Sequence, residues 1–376
     1  MRFRPKNTHL FIVILATFFL HSGCQICRAD GLVVKKRDYS GSLEEASQEA
    51  VIIFQPASQQ GQAVQDLILS IEVRGKASEF AWVIPFPNEP ESFEEDKGLF
   101  RELFDYVEFQ RSSRWAKKPG SDNKSELDEA RSGAVDVISR NIVGDYEVTV
   151  VRETEAGGLN PWLRENGYQS LDHADDVLKF YRQKQYVFAC IRYTSDALAK
   201  DGVIHSHPLR FRFRTGGRDG MYFPMRLTGL QEQPFNVTLY VFTPSWVNDK
   251  LNRFGYEQRG FQLGYRDWDT NKCQPNAGKL YSSPAGDPFL RSAAGKLTLT
   301  TAMFQKLYPQ QRFYLTKLQT FGMDPRKVRD WPDDLWLFPY YTDRGFVPYD
   351  VRRGGVASAA WPDAEITSPL PSVTSL

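Results

Sequence analysis

The sequence predicts an α+β fold, dominated by antiparallel β-sheet with a few packed helices. Three observations carry this. Several segments alternate apolar and polar residues, as Leu67, Leu69, Ile71 and Val73 do against Ser70, Glu72 and Arg74, which marks a half-buried strand. Few segments show helical spacing. Gly, Pro, Asn and Asp clusters separate the strands at short intervals, without the strand–helix alternation of a parallel sheet. The 376 residues are 41 % hydrophobic and 14 % aromatic, enough for a sizeable core.

The elements follow in order. Arg2, Arg4 and Lys6 precede an apolar run from Leu10 to Leu20, and small and polar residues then lead to Arg28-Ala29-Asp30. This is the layout of a secretory signal peptide over residues 1–29, with cleavage expected after Ala29. The apolar run is shorter than the ~20 residues a spanning helix needs, so the mature chain is expected to carry no transmembrane span. Ser22-Gly23-Cys24 offers the alternative of a lipoprotein anchored at Cys24. Cys24 and Cys27 have CxxC spacing but lie in the leader without a second pair, so they are not read as a redox or metal motif.

Residues 30–345 are expected to form a single α+β domain. Ser42 and Glu45 have capping-box spacing for a brief helix leading into the apolar strand Ala50–Phe54. The alternating strand from Leu67 and the apolar Phe80-Ala-Trp-Val-Ile-Pro-Phe-Pro87 read as a hairpin. Ser92 and Glu95 suggest a second capping box, for a helix burying Leu99, Phe100, Leu103, Phe104 and Val107. Residues 116–133 mix charge with Pro, Gly and Ser and read as a mobile loop. Asp145–Val151 is a strand, Asn160-Pro161 opens a short helix that Asn166-Gly167 ends, and a helix from Asp172 buries Ala174, Val177, Leu178 and Tyr181. Strands are expected at Tyr186–Tyr193, His207–Thr215, Met221–Leu227 and Phe235–Thr243. Residues 252–295 read as an irregular insertion. A helix at Thr298–Tyr308 and strands at Arg312–Thr320 and Leu335–Tyr341 complete the domain, and residues 346–376 read as a disordered tail.

Four segments stand out in order along the chain: Phe80–Pro87, Gly144-Asp-Tyr-Glu-Val-Thr-Val150, Trp162-Leu-Arg-Glu-Asn-Gly-Tyr168 and Tyr222-Phe-Pro-Met-Arg-Leu-Thr228. In them the chain resembles an exported bacterial group, the domain-of-unknown-function family 2330. The resemblance spans roughly residues 30–340, leaving out 252–295 and the tail. It implies export and one family-length domain, and assigns no catalytic residue.

Charge argues against nucleic-acid partners: 47 Lys and Arg oppose 46 Asp and Glu, with no block of five like charges. In the mature chain Cys190 and Cys273 remain, and two thiols in an oxidising compartment favour a disulfide, with two separate buried thiols as the alternative. Closing that loop would contribute on the order of 4 kcal/mol. His205 and His207, two apart on a strand, are weak candidates for a metal pair, with Asp201 or Cys190 as a third ligand. The plainer reading is two imidazoles at the start of a strand.

Arg210, Arg212 and Arg214 alternate with Leu209, Phe211 and Phe213. That row could grip anions by bidentate hydrogen bonds, joined by Arg226, or be paired by carboxylates of neighbouring strands. The aromatic stretch Trp331–Tyr341 reads as a buried strand, with a sugar-stacking platform as the alternative. Asp333-Asp334 and Asp175-Asp176 are adjacent and so point apart, as in turns or helix starts. No nucleophile elbow, P-loop or dinucleotide motif is present, and no cofactor is implied. The sequence therefore favours a non-catalytic envelope or extracellular binding module; it names no partner, and envelope polysaccharide or protein are the candidates. A metal-dependent hydrolase using His205 and His207 is the alternative.

Overall fold

The computed structural model describes residues 27–28, 31–41, 43–56, 62–75, 79–112, 137–153, 155, 157–193, 203–205, 207–215, 220–231, 233–243, 247, 256–266, 281–282, 297–308 and 312–339. The chain runs β1 (Cys27–Arg28), β2 (Leu32–Lys35), β3 (Leu43–Gln55), β4 (Val64–Gly75), β5 (Phe80–Phe86), β6 (Glu91–Glu94), α1 (Leu99–Ser112), β7 (Val137–Val143) and β8 (Tyr146–Arg152). It continues through α2 (Leu159–Glu165), α3 (Asp175–Gln183), β9 (Val187–Tyr193), β10 (Val203–His205), β11 (Leu209–Arg214), β12 (Met221–Phe223) and β13 (Phe235–Thr243). The last elements are β14 (Gln262–Arg266), β15 (Tyr281–Ser282), α4 (Thr298–Leu307), β16 (Arg312–Met323), α5 (Pro325–Arg329) and β17 (Leu335–Leu337).

Two sheets organise these elements. The larger is ordered β14, β16, β13, β3, β4, β11, β6, with β1 beside β13, β10 beside β4 and β15 beside β16. The smaller is ordered β2, β5, β9, β8, β7, and β12 with β17 forms a separate ribbon. Pairing among the described residues is antiparallel except where β13 runs parallel to β3 and to β1.

The sheets pack face to face. Phe86 of the smaller sheet lies 5.0 Å from Phe211 and 5.1 Å from Phe213 of the larger, ring centre to ring centre. The opposite face of the larger sheet, with Val51, Ile53, Ile68 and Phe242, packs on α1 and α4 through Leu103, Val107 and Phe304. The outer face of the smaller sheet carries α2 and α3, where Tyr181 meets Phe188 at 5.7 Å. β3 is therefore covered on both faces, which is why Ala50–Phe54 is apolar throughout rather than alternating.

The α+β class, with more strand than helix, is observed, and the helices lie on both outer faces. The helix expected after Ser42 is instead part of β3, which pairs with β4 from Leu43 opposite Gly75 to Gln55 opposite Val64. Long-range pairing overrides a local capping signal there. Ser92 likewise falls in β6, and α1 starts beyond it, where Asp96 Oδ1 accepts the Gly98 N–H at 2.7 Å.

β4 and β5 do not form a hairpin, because they belong to different sheets. Phe104 is 42 % exposed, and Tyr106 takes the inward place on α1. β12 stops at Phe223, before Pro224. Part of the stretch expected to be irregular forms β14 on the edge of the larger sheet. The 116–133 loop, the 346–376 tail and most of the leader lie outside the described residues. Cys27–Arg28 do pair with Phe235–Asn236, so cleavage after Ala29 would remove β1.

Candidate functional site

The residues singled out from the sequence do not converge. β10 and β11 both pair with β4, His205 opposite Glu72 and Leu209 opposite Leu69, so four steps along one chain match three along the other. His207 sits in that one-residue bulge, where the regular alternation of strand faces is broken. It is 1 % exposed, its Nε2 accepts the Asp145 N–H at 2.8 Å, and its ring meets Tyr146 edge-on at 4.9 Å. Its Nδ1 faces the Pro208 carbonyl oxygen at 3.3 Å, so both ring nitrogens are engaged. Cys190 faces the opposite side of the smaller sheet, and Asp201 lies outside the described residues. Among the described residues, no three His, Cys, Asp or Glu side chains gather to hold a metal ion.

The arginine row is largely enclosed. Arg210 and Arg212 point to the helix-covered face, where both reach Asp66, at 2.8 and 3.2 Å, and Arg210 also bonds Glu95 at 2.5 Å. Tyr308 donates its hydroxyl to Asp66 as well, and Phe93 stacks under Arg210 at 4.1 Å. Burial raises the Asp66 carboxyl above its usual range, while Arg212 and Arg210 act against that rise. Arg214 is exposed. Arg226 follows β12 in the ribbon, stacks on Phe180 at 4.0 Å and does not join the row.

The aromatic stretch is mostly interior. Trp336 and Phe338 are buried, and Arg259 stacks on Trp331 at 4.7 Å. Tyr340 and Tyr341 lie outside the described residues. Cys190 is a free, buried thiol whose ionisation burial pushes well up, so it is no nucleophile. Cys273, its expected partner, lies outside the described residues.

Sequence reasoning missed two buried acids. One is Asp334, 1 % exposed, which accepts hydrogen bonds from Tyr181, Tyr222 and the backbone N–H groups of Met225 and Arg226 at 2.8–3.0 Å. The segment Tyr222–Thr228 thus wraps one carboxylate and ties the ribbon to α3.

The other acid, Glu147, belongs to a cleft on the outer face of the smaller sheet, beneath α2. The cleft is small and partly open to solvent, and is lined by Ala81, Arg140, Glu147, Thr149, Trp162, Asn166, Tyr168, Cys190 and Arg192. Strand pairing sets the floor: Ala81, Arg192 and Glu147 align across three strands, as do Cys190 and Thr149 in the next row. Gly167, at φ +81°, ends α2 and turns Tyr168 back over the sheet.

Charge is arranged as a chain. Arg140 bonds Glu147 Oε1, and Arg192 Nη1 lies 3.6 Å from Glu147 Oε2. Arg192 and Lys36 then share Glu79, at 2.6 and 2.9 Å, and Tyr168 donates its hydroxyl to the same oxygen at 3.0 Å. Burial alone would raise the Glu79 carboxyl, but Lys36, Tyr168 and Arg192 hold it below the usual range. Two polar atoms on the lining are buried without a hydrogen-bond partner, Glu147 Oε2 and Trp162 Nε1. Buried groups of this kind are rare and call for a reason, such as strain or a bound water, ion or ligand.

The sequence did hold a signal for this site. Ala81, Glu147, Thr149, Trp162, Asn166 and Tyr168 fall within three of the four segments that carry the family resemblance. Arg140 was missed because β7 follows a polar stretch with no apolar period.

Among solved structures, a crystal structure of baculovirus P35 is 13 % identical, covering 62 % of this chain and 73 % of that one, with a TM-score of 0.35. A mutated baculovirus P35 after caspase cleavage is 11 % identical over 78 % of this chain and 99 % of that one, with a TM-score of 0.33. Likeness at this level carries no argument about the present chain. Comparison with curated proteins finds no match. A family model does match, over residues 27–332, and the chain therefore belongs to DUF2330, an uncharacterised protein family conserved in bacteria.

Proposed function

We propose that the protein is an exported, non-catalytic binding module of the cell envelope or extracellular space, and that the Glu147–Trp162 cleft is its contact with an envelope polysaccharide. One observation carries the reading: the strand floor and the helix over it bring to one lining a buried acceptor, Glu147 Oε2, and a buried donor, Trp162 Nε1, neither with a hydrogen-bond partner. Polar groups left open inside a fold destabilise it unless a ligand meets them. No activated nucleophile or placed acid–base pair accompanies them on the lining. Export is supported by the basic-then-apolar leader, and among the described residues no helix is long and apolar enough to cross a membrane.

A second reading of the chain start has its own support. β1 pairs with β13, and processing before Cys24 would keep that strand where processing after Ala29 would not. The intact mass of the exported protein separates the lipid-anchored form from the free one.

The cleft is tested by sedimenting the purified mature protein with isolated envelope polysaccharide. Wild type is expected to co-sediment, and Trp162→Phe, which removes only the indole N–H, to stay in solution while melting normally. Equal sedimentation of the two proteins would remove the cleft from the function.

A further inference from the structure

We infer that the cleft receives the acetamido group of an N-acetylated amino sugar; this names the ligand of the binding site proposed above and rests on that reading. The two buried atoms without a hydrogen-bond partner set the chemistry. Glu147 Oε2 belongs to an arginine-paired carboxylate and only accepts, whereas Trp162 Nε1 only donates. A group that meets both brings one donor and one acceptor into one small space.

The remaining lining narrows the choice. Ala81 and the Cys190 thiol offer an apolar floor, each 2 % exposed. A secondary amide capped by a methyl group matches all three features: its N–H reaches Glu147, its carbonyl accepts from Trp162, and its methyl packs on Ala81 and Cys190.

Charge excludes the competitors. Lys36, Arg140 and Arg192 outnumber Glu79 and Glu147 around the cleft, so an ammonium group is repelled. A carboxylate or phosphate would set its own charge against Glu147 Oε2. A plain diol satisfies the two polar atoms and leaves the apolar floor without a contact. Arg140 and Arg192 keep 21 % and 34 % of their side chains exposed at the mouth, where their spare N–H groups suit the ring hydroxyls of a sugar.

The test is calorimetric titration of the mature protein with N,N′-diacetylchitobiose, its deacetylated counterpart and cellobiose. The acetylated disaccharide is expected to bind at least about tenfold more tightly than either of the others, the size of one good hydrogen bond. Trp162→Phe should lose most of that preference. Ala81→Val, which fills the floor with a strand-compatible side chain, should lose it while leaving both polar atoms in place. Equal binding of cellobiose, or no binding of the acetylated sugar by folded protein, would overturn the acetamido assignment. Co-sedimentation with polysaccharide that persists alongside either result would leave the binding module standing.

Discussion

The Nε2 atom of His207 accepts the backbone N–H of Asp145 across 2.8 Å, joining the bulge between β10 and β11 to the turn between β7 and β8. One histidine thereby fastens the larger sheet to the outer hairpin of the smaller one. Gly144, at φ +57°, precedes the contact, and a Cβ there would lie 1.9 Å from that same nitrogen. His207→Phe keeps a ring but leaves a buried N–H unmet, and should cost about 1–3 kcal/mol. Gly144→Ala adds backbone strain and a clash, and should cost more. Urea unfolding of both variants checks the order, and a Gly144→Ala midpoint equal to wild type would contradict it.

Arg210→Ala should be among the most damaging surface-to-core changes in the chain. Asp66 has no exposed surface and would keep only Arg212 as a cation at hand. Breaking a buried pair from one side typically costs ~3–5 kcal/mol. Asp66→Asn with Arg210→Met removes both charges together and should recover much of that loss. Arg214→Ala, on the exposed end of the strand, should fall within about 0.5 kcal/mol of wild type. Chemical denaturation of the four proteins gives the comparison.

Those arginines show where sequence reasoning succeeds and where it stops. Alternation correctly placed Arg210 and Arg212 opposite Phe211, since strand period is local. It could not say that the opposite face lies beneath helices, because Asp66 and Tyr308 reach it from distant parts of the chain. The 42–49 segment fails for the same reason, a capping signal losing to twelve residue pairs between β3 and β4. α3 was legible because its buried residues and its start signal agree within one segment. The cleft showed only through the resemblance segments and not through any pattern, since Glu147 and Thr149 alternate with valines like any wet strand face until α2 encloses them.

Asp334 should make stability fall as pH rises. Burial raises its carboxyl to about 6 from 3.8, although the Arg226 and Met225 N–H groups favour the charged form. Between about pH 4 and pH 6 the folded state holds a proton that the unfolded state has released, so stability is greatest below that window and is lost through it. The size is ~3 kcal/mol at ~1.4 kcal/mol per unit. Unfolding free energies of wild type and Asp334→Asn, taken from pH 4 to pH 7, should differ by an amount that changes across the window and is level above it. A difference independent of pH would contradict this.

Cys190 should resist alkylation in the native protein. Its thiol is buried in β9 and burial suppresses the thiolate that would react. Iodoacetamide at pH 8 is expected to leave it unmodified until denaturant is added, and then to label it without reductant. Labelling that requires reductant as well would instead restore the disulfide to Cys273.

Trp162→Phe should leave the protein as stable as wild type or more so. The substitution keeps most of the ring, which packs at 6 % exposure on the outer face of the smaller sheet, and deletes an N–H that meets no acceptor. The lost ring area is destabilising by about 1 kcal/mol at ordinary burial coefficients. Removing an unmet buried donor returns about 1–3 kcal/mol, so the balance is expected at or above zero. Glu147→Leu behaves differently, because it strands Arg140 beside an apolar side chain and should melt lower. A residue whose polar atom can be deleted without loss of stability is kept for something other than folding. A clear drop in melting temperature for Trp162→Phe would show that the indole N–H is satisfied within the fold, and the cleft would lose its donor.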